Sequence, residues 1–366
     1  MSENNKIFRE LQIHLDEQTV GFPATKSGSD IQLLKEFFTA EQAKIAVMLT
    51  YKYETLETIY ERAKDSGYTI EEVKRILDET ARRGTIGGRI KDGIRQYRNI
   101  PYVVGMVEAA ALNPSPELGA AVEAYNNDLV FWMAFMKSKI PQMRTIPIEE
   151  SITPEHNIGN YDEIENIIKT TVDPIVIIPC VCRKGSSARG EPCKLTDRTE
   201  TCMVFRDQAR SMIEDGIIDT FSGREISKEE ALEILRKNQA EGLVLQPSNA
   251  QGPDYVCSCC GCCCGILGFH KAVPNPVSFW ASNYQAVIDS ELCEGCGTCV
   301  DKCQTNAMVL DDKTEIARVD LTRCLGCGNC VTSCPSEAIE LQKKEKEVIP
   351  PKTGEETFEI IVKGKT

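Results

Sequence analysis

The feature that most constrains this chain is a repeated run of cysteines. "CEGCGTCVDKC" begins at Cys293 and "CLGCGNCVTSCP" at Cys324, 31 residues later, and both read C-x2-C-x2-C-x3-C. Two glycines and a valine recur in register. A cubane iron–sulfur core needs one thiolate on each of four irons. Three closely spaced cysteines can wrap three of its corners, and the fourth must come from elsewhere. Zinc is the competing reading. Zinc sites, however, usually draw on two separate C-x2-C knuckles, not on four cysteines in one eleven-residue run.

The stretch from about residue 285 to 342 resembles the bacterial two-[4Fe-4S] ferredoxins. The resemblance implies that Cys293, Cys296, Cys299 and Cys334 hold one cluster, and that Cys324, Cys327, Cys330 and Cys303 hold the other. Pro335 stands where the family pattern asks for it, whereas Gln304 replaces the proline expected after Cys303. The flanking "YQAVI", "AMVL", "EIARV" and "AIEL" alternate and carry β-branched residues, so they predict short strands of a β-α-β repeat. Residues 289–340 carry ten acidic and four basic side chains, a net of −6. Such a field pulls cluster potentials down and steers the domain toward a basic patch on a redox partner.

The whole chain has 366 residues, a net charge of −13 and 18 cysteines. The negative balance disfavours nucleic acid as a whole-chain partner. "MSENNKIFRE" has no apolar run after a charged head, so no secretory signal is expected. The run "LVFWMAFM" falls well short of the roughly 20 residues that span a bilayer. These features predict a cytoplasmic protein. Thiols clustered in a reducing compartment bind metal more readily than they form disulfides. Only His14, His156 and His270 exist, none in a zinc-finger spacing, so the ligand set is almost purely thiolate.

Residues 29–103 predict three helices and a glycine-rich hairpin, in the manner of a winged-helix domain. Thr39 with Gln42 and Thr69 with Glu72 are capping boxes. The hairpin segment 82–98 holds Arg82, Arg83, Arg89, Lys91, Arg95 and Arg98 against Asp92. That pattern fits DNA or an acidic protein domain, this chain's own ferredoxin included. Glu71, Glu72, Asp78 and Glu79 on the third helix favour protein over DNA. Residues 117–138 predict a helix whose Phe131, Trp132 and Phe135 serve a core or a subunit contact, which is compatible with a homo-oligomer. Three prolines in 139–163 predict an extended linker.

The middle is the least ordinary part. "PIVIIPCVCRKG" predicts a strand running into Cys180 and Cys182, and Cys193 and Cys202 follow. A helix opening at Ser227 leads to "CSCCGCCCG", which holds Cys257, Cys259, Cys260, Cys262, Cys263 and Cys264. Neighbouring residues of an extended chain point to opposite sides, so these six thiols cannot all face one cubane. Together with the upstream four they could serve two further [4Fe-4S] clusters with two thiols spare, or one unusual cluster with more than four ligands. A zinc site is the alternative. Arg183 and Lys184 would favour thiolates and offset cluster charge. The "CCG" pair resembles the CCG domains of heterodisulfide reductases but lacks their longer motif.

The expected fold is α+β and multidomain. An N-terminal arm (1–28) precedes the winged-helix-like domain (29–103), then a helix and linker (104–160). A cysteine-rich α/β centre (161–284) leads to a ferredoxin-like (βαβ)2 domain (285–342) and a tail (343–366). This layout resembles multi-cluster iron–sulfur proteins of anaerobic microbes. No phosphate-binding loop, dinucleotide fingerprint or hydrolase elbow is present, so no catalytic residue is assigned. The expected function is electron transfer, as a subunit passing low-potential electrons between a donor and a partner oxidoreductase. The alternative is an iron–sulfur-sensing winged-helix transcription regulator.

Overall fold

A computed structural model describes residues 3–110, 115–152, 159 and 161–365; His156, with the rest of 153–158, lies outside these. The chain is mixed α and β, with several small sheets. It forms two compact units. One comprises Met1–Lys139, Arg206–Arg224 and Phe358–Thr366, and the other Ile140–Phe205 and Glu225–Thr357. Among the described residues, no helix is long and apolar enough to cross a membrane.

In the first unit, helices Ala40–Ala46, Leu56–Ala63 and Ile70–Arg82 start on threonines, and two of them carry the full reciprocal capping box (Thr39/Gln42 and Thr69/Glu72). Each box pairs two backbone donors that would otherwise be orphaned. Strand β1 (Glu54–Thr55) pairs with β3 (Ile94–Asn99), which also pairs with β2 (Ile86–Lys91), all antiparallel. Val73, Ile76, Leu77 and Ala81 bury one face of the third helix. Removing a large apolar side chain from water contributes roughly 1.5–3 kcal/mol. The basic hairpin is largely engaged within its own unit. Arg95 meets Asp215 at 2.5 Å and Asp78 at 3.6 Å. Arg89 and Arg98 lie over the Tyr53 ring at 4.0 and 4.3 Å. The aromatic stretch expected as one helix is two, Pro116–Asn127 and Val130–Lys137, broken where Leu129 takes a left-handed φ of 59°.

The second unit is built on a five-stranded sheet of order β6-β4-β5-β8-β7, from β4 (Ile175–Pro179), β5 (Glu200–Phe205), β6 (Arg224–Ile226), β7 (Val244–Pro247) and β8 (Tyr255–Cys259). Its core holds Ile175, Ile177, Met203, Phe205, Leu235 and Leu245. Within the proline-rich segment, Met143 and Ile146 bridge to Ser248 and Leu245, and Arg144 is buried in an ion pair with Asp162. The C-terminal repeat supplies β9 (Tyr284–Ile288), β10 (Met308–Leu310), β11 (Ala317–Val319) and β12 (Ile339–Lys343). β9 pairs with β12 and β10 with β11, both antiparallel.

Candidate metal centres

The repeat folds into two similar loops. Each turns on glycines at positive φ, Gly295 and Gly297 in one copy and Gly326 and Gly328 in the other. A Cβ on Gly326 would overlap the Tyr284 carbonyl, so backbone crowding as well as φ demands glycine there. Cys293, Cys296, Cys299 and Cys334 line one small cavity. Cys303 instead sits among Cys324, Cys327 and Cys330, close enough to influence the ionisation of each. Each copy thus sends its fourth cysteine toward the other copy's loop. Burial pushes the Cys327 thiol up to about 12 and raises Cys330 as well, so neither ionises readily without a cation to bind.

In the central region the local structure sorts the thiols. Cys257 and Cys259 stand two apart on β8 and so share one face of the strand. Cys260, Cys262 and Cys263 lie in the turn that follows, and Cys264 caps the helix Gly265–Ala272. Cys180 caps the helix Val181–Ala188, with Cys182 in its first turn. Cys202 sits on β5 opposite Ile178.

Ten thiols therefore divide into two groups. Cys193, Cys260, Cys262 and Cys263 bring their sulfurs within 4.8 Å of one another. The other six form a closed ring in which each thiol lies near enough to shift the ionisation of the next. Cys180 reaches Cys182 and Cys202. Cys182 reaches Cys264, Cys264 reaches Cys259, and Cys259 reaches Cys257. Cys257 closes the ring on Cys202. The neighbours oppose one another: Cys202 and Cys259 hold Cys257 down at about 6, and Cys182 and Cys259 draw Cys264 well below the ordinary thiol range. Cys180 and Cys202 are instead pushed up to about 12, and Cys182 and Cys259 well above the ordinary range.

Arg183 lies between the two groups and is 2% exposed. Its guanidinium donates to Thr201 Oγ1 at 2.5 Å and to the Ser258 carbonyl at 2.7 Å. Among the described residues it has no carboxylate ion pair. Burial disfavours its charge, but Cys180, Cys202, Cys260 and Cys193 outweigh that and hold it protonated. A buried cation of this kind needs an anionic neighbour. Cys193 is drawn down to about 7, while Cys180, Cys202 and Cys260 are pushed up to about 12 and stay neutral unless a metal ionises them. A bound metal–thiolate group would be that neighbour, so the donor set fits one. His270, not assigned to the site by its spacing, is fully buried against Phe279 and Trp280. Burial outweighs the pull of Cys264 and lowers it to about 4, so it is neutral at pH 7.

The central loop touches the repeat directly. Gly261 N–H donates to Gln304 Oε1 at 2.8 Å, and a Cβ on Gly261 would overlap the Gln304 carbonyl. Gln304 is the residue that departs from the ferredoxin pattern, and proline has no side-chain amide to offer there. Arg323 donates to the carbonyls of His270, Lys271 and Val273 at 3.1–3.4 Å. Asn329 donates to the Gly242 carbonyl at 2.7 Å.

A family model described as a 4Fe-4S dicluster domain matches residues 292–353. The C-terminal end is a ferredoxin-type iron–sulfur domain. No curated protein matches the chain. The family match covers the repeat and leaves the central thiols outside it.

Proposed function

We propose that this protein carries low-potential electrons between a donor and a partner oxidoreductase, with chemistry on the substrate performed by that partner in the cytoplasm of an anaerobe. Cys293, Cys296, Cys299 and Cys334 would hold one [4Fe-4S] cluster, and Cys324, Cys327, Cys330 and Cys303 a second. The central thiols would hold further iron–sulfur metal. When bound, such clusters accept and release single electrons. The protein's part is to supply the thiolates, to offset their charge with Arg183 and to keep water from the buried sulfurs. The observation that carries this reading is the contact between Gly261 and Gln304. It sets the central thiol loop one residue from Cys303, with backbone packed on backbone.

The first unit serves in this reading as a winged-helix-type module that docks protein. Its support is the engagement of Arg75 with Glu41 and Glu79 and of Arg95 with Asp215, which spends charge that phosphates would need. A gel shift at physiological salt with the anaerobically purified full chain tests this. The expected result is no sequence-specific retention in either oxidation state. Specific retention that changes on cluster oxidation would make the protein a regulator instead.

A further inference from the structure

The two central thiol groups differ in a way that bears on what each can hold. In the first, Cys193 Sγ lies 3.6 Å from Cys260 Sγ and 3.7 Å from Cys262 Sγ, and Cys262 Sγ lies 3.7 Å from Cys263 Sγ. A tetrahedral zinc-type ion with metal–sulfur bonds of about 2.3 Å has ligand sulfurs about 3.8 Å apart along each edge. A cubane sets its thiolates one per iron, around a core several atoms wide, and cannot seat on four sulfurs drawn together so tightly. Among the described residues, neither the six-thiol ring nor the eight thiols of the repeat contains three groups packed this closely. The first group is also the more open, with Cys262 exposed, whereas Cys180, Cys202, Cys259 and Cys264 of the ring are buried.

We infer that Cys193, Cys260, Cys262 and Cys263 form a tetrathiolate site for a single tetrahedral ion, zinc(II) or iron(II), while the ring of Cys180, Cys182, Cys202, Cys257, Cys259 and Cys264 is the part that takes an iron–sulfur cluster. The ring half of this inference rests on the electron-transfer reading above; the single-ion half does not. The separation follows from secondary structure. The strand and the helix caps direct Cys257, Cys259 and Cys264 into the ring. The turn between them turns Cys260, Cys262 and Cys263 away from the ring to meet Cys193. The ion would brace this turn, whose Gly261 donates to Gln304. It would therefore fix the register of the central loop on the ferredoxin domain.

The test uses full-length protein purified anaerobically, with zinc, iron and acid-labile sulfide measured per chain. The double variant Cys262→Ser/Cys263→Ser is expected to lose one metal ion and no sulfide. Loss of about four irons with about four sulfides would assign a cubane to these thiols and overturn the inference. Unchanged metal content would overturn it too. Should the variant fold poorly, X-ray absorption on the unaltered protein decides the matter. One zinc or one mononuclear iron with four sulfurs at about 2.3 Å is expected, and the absence of any such ion contradicts the assignment. Failure of the cluster reading looks different. It leaves the single ion in place and acid-labile sulfide no higher than the repeat accounts for.

Discussion

Replacing Arg183 with methionine is expected to empty the central thiol groups of metal and to lower stability by about 1–3 kcal/mol, the cost of leaving Thr201 Oγ1 and the Ser258 carbonyl without their buried donor. Methionine fills a similar volume, so the loss reports charge and hydrogen bonding more than packing. Arg183→Lys should recover only part of it. An ammonium restores the charge but does not reproduce the fork that reaches Thr201 Oγ1 and the Ser258 carbonyl together. Metal analysis with thermal unfolding checks both variants, and the spectrum of the C-terminal clusters serves as the internal control. A methionine variant that keeps its metal and its melting temperature would show that the thiols need no counter-charge.

The second large effect concerns the exchange of ligands between the two copies of the repeat. Cys334→Ala should cost the cluster held by Cys293, Cys296 and Cys299, up to about four irons, and should spare the one at Cys324, Cys327 and Cys330. Cys303→Ala should do the reverse. The cavity that joins Cys334 to Cys293, Cys296 and Cys299 is the reason. Electron paramagnetic resonance of the reduced variants separates the two clusters. If Cys334→Ala instead damages the cluster of its own copy, the crossing is wrong.

Much of this was legible in the sequence where the determinants are local. The C-x2-C-x2-C-x3-C spacing fixes three thiols on one loop, and the short strands around it follow from alternation and β-branching. The capping boxes at Thr39 and Thr69 each span only four consecutive residues and could be read locally. The sorting of the central ten thiols was not legible, because it depends on long-range pairing. Cys202 joins the ring only because β5 lies beside β4 and β8, and nothing near Cys202 announces this. Cys193 sits far from the turn it meets. Gln304 could be seen as a departure from the ferredoxin pattern, but its purpose needs Gly261, 43 residues away. The break at Leu129 was hidden as well, since an apolar run reads as continuous helix until one residue takes a left-handed conformation.

The central claim is that the ring of Cys180, Cys182, Cys202, Cys257, Cys259 and Cys264 holds an iron–sulfur cluster in addition to the two of the ferredoxin domain. Iron and acid-labile sulfide per chain, measured on full-length protein purified without oxygen, test it most directly. The account predicts about 12 irons with about 12 sulfides, because each of three clusters contributes about four. A protein that holds only about eight of each, however much zinc accompanies them, would contradict it.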